Sequence, residues 1–263
     1  MTLEDVKVAL DSNLELTDEL RDNIYGLVHI FNEKYPDISL NNLCNNLRTL
    51  KIVKSNKFLN KRVSKYNYMT NTIEFNIDVM NEGYDMKHVL MYDLLQVITN
   101  NGVMTGFNQN DQFRALNAGY TEILTNNLVG NESDISDLDS EIISTNIISY
   151  ILGDDILFNA YFNNDANLLT NAMLDKGFVN MDKNFEIMEA MNYAYDNPES
   201  RDKVNPHELC VEVAIKSVID PNTFEQIGML VSMSHEAKAY EKALDGLKAA
   251  KTLDSEMDRV RTM

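Results

Sequence analysis

Apolar residues at steps of three and four open the chain. Residues 3 to 10 carry the spacing of a short helix. Thr17 then stands where an N-cap belongs, with Asp18 and Glu19 in the first turn, where the helix dipole favours acidic groups. Leu20, Ile24, Leu27, Val28 and Phe31 repeat at helical spacing until Tyr35-Pro36 ends the pattern. Another helical run begins near Ser39 and carries Leu40, Leu43, Leu47 and Leu50. The period then shortens to two. Leu50 to Lys54, Lys65 to Met69 and Thr72 to Ile77 alternate apolar and polar residues as half-buried strands do, with Asn71 at the turn between the last two.

The strongest helical pattern follows, within residues 84 to 100. Met86, Leu90, Leu94, Val97 and Ile98 recur at three and four, and Val89, Met91 and Leu95 widen the apolar surface until burial on most sides is expected. Asn100-Asn101-Gly102 is a stop signal and Gly106 keeps the next loop turning. A helix over 111–128 comes next, then an acidic, turn-rich stretch whose residues 132–141 read as a solvated loop. Helices are expected at 139–152, 154–163, 165–175 and 183–196, a break at Asn197-Pro198, and helices near 206–218 and 222–233. The last, over 235–260, is amphipathic through Tyr240, Leu244, Leu247, Ala250, Leu253, Met257 and Val260, which suits docking on the parent domain or pairing with another helix. The expected fold is α+β and mainly α-helical, with a small antiparallel sheet before a pair of core helices. Residues 1–197 form its domain and 198–263 a helical C-terminal extension.

Composition narrows the partners. Hydrophobic residues make up 44% and charged residues 24% of 263, and the net charge of −18 turns nucleic acid and anionic membrane surfaces away as general partners. No apolar run approaches the ~20 residues of a membrane span, and no basic-then-apolar leader opens the chain. The expectation is a protein that stays where it is made, cytoplasmic or, if phage-encoded, in a virion. Cys44 and Cys210 stand far apart without a CxxC, which points to reduced thiols. Lys51, Lys54, Lys57, Lys61, Arg62 and Lys65 form the basic region, read as lysines that keep a sheet edge soluble. Asn is frequent and Trp absent, a bias assigned to an AT-rich genome such as that of a low-GC bacterium, its mobile elements or a phage.

One feature of the central helix is chemical. His88, Tyr92 and Gln96 fall at i, i+4 and i+8 on one line, with Asp93 beside them. A polar line on a buried helix needs partners, because an unpaired buried polar group costs roughly 1–3 kcal/mol. Residues 89 to 99 around that line, Val-Leu-Met-Tyr-Asp-Leu-Leu-Gln-Val-Ile-Thr, resemble the active helix of gluzincin-type zinc metallopeptidases, with its HExxH motif. The later Leu116-Asn-Ala-Gly-Tyr-Thr-Glu-Ile-Leu resembles the companion helix of minigluzincin-like families, Leu-Asn-Glu-Gly-x-Thr-Glu-x-Leu. The likeness extends over residues 1 to 175 through the order of helices, sheet and site helix.

The resemblance implies a zinc site whose defining residues are missing. Two His at i and i+4 bind the metal with a carboxylate as third ligand, and the Glu after the first His polarises the bound water. Tyr92 and Gln96 occupy the His positions, Asp93 the base position and Ala118 the third-ligand position, while Asn117, Gly119, Thr121 and Glu122 are kept. His88 and Tyr120 would line the former cleft.

Three readings follow. In the first, catalysis and cofactor are lost and Tyr92 and Gln96, with or without Asp93, fill the site by hydrogen bonding. The chain is then a pseudoenzyme that binds a protein partner or itself, through residues 235–260 or through a peptide-docking strand at Thr72–Ile77. In the second, His88 with Asp85 or Asp93 and Glu122 makes a remodelled metal site for a hydrolase. In the third, the likeness is coincidental and the chain is an α-helical domain.

Overall fold

Side-chain caps start the first helices. Thr2 Oγ1 accepts from the Asp5 amide while Asp5 Oδ2 accepts from the Thr2 amide at 2.7 Å, a reciprocal capping box that begins α1 (Leu3–Asp11). Thr17 Oγ1 accepts from the Leu20 amide at 3.3 Å to begin α2 (Asp18–Lys34), which closes at Tyr35. The computed structural model describes residues 1–56, 62–77, 84–130, 138–175 and 181–197. Cys210 and the helices expected at 206–218, 222–233 and 235–260, with the partner contact assigned to the last, lie outside the described residues. So does the 198–263 extension.

The chain divides into two compact units, each gathered from separate stretches. Among the described residues, the first takes those within 1–111, 121–130 and 159–166, and the second those within 112–120, 138–158 and 167–197. The fold is mainly helical, with nine α-helices and a three-stranded sheet among the described residues. No helix among them is long and apolar enough to cross a membrane.

In the first unit, α1 packs on α2 and on α3 (Asn41–Leu47), and the chain then enters the sheet through β1 (Lys51–Ser55), β2 (Ser64–Asn67) and β3 (Thr72–Asn76). Strand order is β1-β3-β2. The hairpin β2–β3 is antiparallel, with Lys65 opposite Glu74 and Tyr66 opposite Ile73. Its turn is built by Asn67, whose Oδ1 accepts from the Met69 and Thr70 amides, and by Asn71 at φ 49°, a left-handed position that Asn tolerates.

β1 runs parallel to β3, with Ile52 beside Ile73, so the sheet is mixed rather than wholly antiparallel. Thr72–Asn76 is therefore the central strand, and the docking edge expected there is not an edge. Burial agrees, since Thr72, Ile73, Phe75 and Asn76 are all buried. Alternation along a strand fixes which face each residue takes, not which strand lies beside it. The strands at either side of β3 are β1 and β2, and their Lys51, Lys54 and Lys65 are exposed, as edge lysines are.

Helix α4 (Met86–Thr99) begins at Asp85, whose carboxylate accepts from the Lys87 amide at 2.9 Å, and it packs on α2, α3 and β2. Ten of its fourteen residues are buried, which the widened apolar pattern anticipates. Gly102 at φ 88° and Gly106 at φ 55° carry the loop beyond it.

Asparagine side chains tie this unit together. Asn13 Nδ2 donates to the Leu47 and Leu50 carbonyls at 2.7 and 2.9 Å, and Asn46 Nδ2 donates to those of Val97 and Asn100 at 2.9 and 2.8 Å. Asn71 Nδ2 reaches the Asn46 carbonyl and Thr49 Oγ1, and Asn100 Nδ2 reaches Tyr66 Oη and the Tyr68 carbonyl. Each joins the end of one element to the next, where backbone carbonyls run out of partners. Assigning the asparagines to genome bias alone was incomplete: at these four positions they are joints.

Helix α5 (Arg114–Val129) contributes its first part to the second unit, with α6 (Asp139–Leu152), α8 (Ala166–Asp175) and α9 (Met181–Asp196); α7 (Asp154–Asn163) contributes its own first half. Asn192 of α9 accepts from the Ala115 amide at 3.0 Å and donates to the Gln112 carbonyl at 2.9 Å, which secures the start of α5. Gly119 lets α5 and α6 touch, since a Cβ there would collide with the Glu141 carbonyl and Thr145 Oγ1. Glu141, expected in a solvated loop, sits inside α6 and is 2% exposed. The helix itself has the bounds expected, 139–152, and only the assignment of its first residues to the loop is corrected.

Candidate functional site

Two buried ionisable groups on α4 distinguish its polar line, and they are treated differently. His88 faces Glu122 of α5, with Nε2 2.8 Å from Oε1 and side-chain exposures of 8% and 7%. Burial pushes the imidazole down, but the hydrogen bond and charge of Glu122 outweigh it, with smaller help from the Gly130 backbone and Asp85. The net shift is upward from the ordinary value of 6.5. Nδ1 is buried with no hydrogen bond of acceptable geometry.

Asp93 lies in the same helix at 0% exposure, and neither carboxyl oxygen has a hydrogen-bond partner. The Ser64 hydroxyl of β2 lies close enough to favour the ionised form, but it does not make a well-formed bond. Burial dominates and pushes the carboxyl up from 3.8 to about 7. Beside it, the Tyr66 phenol is also pushed up, first by burial and then by Asp93, while its bond from Asn100 draws it the other way. Tyr66 Oη donates to Asn71 Oδ1 at 2.7 Å and accepts from Asn100 Nδ2 at 2.7 Å. Ser64 and Tyr66 stand two apart on β2 and share its α4 side. Sequence reasoning missed both. The signal was there only as period two in a short strand next to the polar helix.

The remaining expected site residues are placed as follows. Tyr92 and Gln96 are half-buried on α4 and, with His88, Asp93 and Glu122, belong to the first unit. Asn117, Ala118 and Tyr120 are buried at 5%, 4% and 1% and belong to the second. Asp93 takes no part in a hydrogen-bond network with Tyr92 and Gln96, since neither of its carboxyl oxygens has a partner. The remodelled metal set is also not assembled. His88 meets Glu122, but Asp85 is engaged in capping α4 and Asp93 is against Ser64. Among the described residues, no three His, Cys, Asp or Glu are grouped to hold a metal ion. Cys44 is buried in α3, outside any disulfide, and burial raises its thiol.

Chemically, the arrangement can hold a proton at two places. His88 paired through Nε2 with Glu122 is one, and Asp93, a lone carboxyl, is the other. Comparison with family models, curated proteins and solved structures gives no match for this chain.

Proposed function

We propose that this chain is a metallopeptidase-like protein without metal chemistry, serving as a structural or protein-binding component. One observation carries the reading. The positions that the resemblance assigns to zinc ligands and base hold Tyr92, Gln96 and Asp93, and Asp93 is sealed in the core rather than available to polarise a water. The remodelled set lacks its third member, since Asp85 caps α4 and Asp93 is turned toward Ser64 while His88 and Glu122 meet each other. A peptide-docking edge is reassigned from Thr72–Ile77 to β2, Ser64–Asn67, an outer strand of the sheet beside α4, where backbone pairing needs no catalytic group. The last helix remains a second candidate surface for a partner or for self-association.

The test is metal content. Protein purified without chelator is expected to carry no stoichiometric zinc; zinc that is lost on His88→Ala would overturn the reading and favour the hydrolase. The resemblance itself is tested by combining Tyr92→His, Asp93→Glu, Gln96→His and Ala118→Glu. Zinc binding is expected, and a well-folded variant that binds none would show the proposed register to be wrong.

A further inference from the structure

Asp93 is a buried group that this proposed function leaves unused. Its carboxyl is fully enclosed, both oxygens lack partners, and the residues it meets across the helix–sheet seam are Ser64 and Tyr66 of β2. An isolated carboxylate in such a place is strongly disfavoured, and the protein relieves it either by holding a proton or by opening to water. Opening is easiest at this seam. β2 is four residues long, lies on the outside of the sheet and pairs with β3 alone among the described strands. Short peripheral strands open locally at less cost than the core unfolds.

Among the described residues, no cation is positioned to compensate the charge. From β2, the titratable neighbour is the Tyr66 phenol, and Lys65 points to the other face in the alternation of the strand. From α3, Cys44 answers to Asp5, the N-terminal amine and Arg48 rather than to Asp93. From α2, His29 and Glu33 form a surface pair, and Arg21 is bonded to Asp18 and the Asn13 carbonyl. On α4 itself, His88 is committed to Glu122.

We propose that Asp93 is a proton-operated latch between α4 and β2. With the carboxyl protonated the seam is closed, and loss of the proton to solvent loosens β2 from α4. This holds whether or not the chain is a pseudoenzyme. It makes β2 a strand whose availability follows pH.

Amide hydrogen exchange, corrected for the intrinsic pH dependence, tests it on the full chain. Protection at Tyr66, Asn67 and the middle of α4 is expected to fall roughly tenfold to a hundredfold from about pH 5 to about pH 8. Asp93→Asn should remove most of the fall at Tyr66 and Asn67, leaving only the smaller part that His88 contributes above pH 6.5. Asp93→Leu, similar in volume, serves if the amide variant does not fold, and the carboxyl carbon shift of Asp93 in the unaltered chain gives the titration directly. Equal protection at both pH values overturns the proposal. So does a fall that persists undiminished in either variant, since it would then belong to His88, and so does an Asp93 carboxyl that titrates in the ordinary range.

Discussion

His88 and Asp93 sit five residues apart on one buried helix, and their surroundings make opposite use of burial. His88 has an ionisable partner at 2.8 Å that offsets its loss of water. Asp93 has a hydroxyl and a phenol nearby and no opposite charge. The helix is equally closed around both, with 6% exposure at His88 and 0% at Asp93. Enclosure alone therefore does not decide whether a buried charge is tolerated. The partner does, because pairing returns what desolvation removes and enclosure does not.

The contrast is open to test, starting from the larger expected effects. The largest is in the pH dependence of stability. The Asp93 carboxyl is raised from 3.8 to about 7 in the folded chain, so the folded state holds its proton where the unfolded state has released it. Stability is then expected to fall as pH rises from about 4 to about 7, by up to about 4 kcal/mol, and to level off above that as far as Asp93 is concerned. Urea denaturation across that range checks it, and Asp93→Leu should flatten this segment. Next is His88→Ala. It leaves Glu122 buried without a partner and should cost about 3 kcal/mol at neutral pH, as broken buried pairs do. Joint replacement of His88 and Glu122 by leucine should recover most of that loss. If it does not, the pair is more than a mutual compensation.

Asn100→Ala probes the neutral surroundings of Asp93. It removes donors to Tyr66 Oη and the Tyr68 carbonyl and should cost about 2 kcal/mol in the same denaturation experiment, with little change in slope against pH. The smallest effect expected is from Glu122→Gln, about 1 kcal/mol, since an amide oxygen still accepts from His88 Nε2. Its signature is in pH. The imidazole is raised above 6.5, so its contribution is complete below that value and is lost as pH rises through the folded pKa; the glutamine variant should lack this loss.

Local chemistry made much of the architecture legible in the sequence. The Thr17 cap, the stop at Tyr35 and the apolar pattern of α4 are decided within a few residues, and they appear as expected. Strand neighbours are not decided locally. The placement of β3 between β1 and β2 depends on a hairpin and on a strand entering from α3, and alternation along Thr72–Asn76 is the same in the centre as at an edge. The polar line of α4 was visible, and His88 and Glu122 were both singled out. Their direct pairing was not foreseen, because it depends on how α4 and α5 lie in three dimensions. Asp93 was misjudged for the same reason. Its place beside the line suggested a hydrogen-bonded neighbour of Tyr92 and Gln96, while its side chain meets Ser64 and Tyr66 of β2.

The asparagine joints have a consequence for the durability of the chain. A carboxamide hydrolyses slowly to a carboxylate, and at Asn46 or Asn100 that exchange would turn a nitrogen giving two hydrogen bonds into an oxygen facing the same acceptors. Repulsion would replace attraction at the junctions of α3, α4 and the β2–β3 hairpin. Ageing of a stored sample would then show first as the loosening of these junctions, before the apolar core gave way.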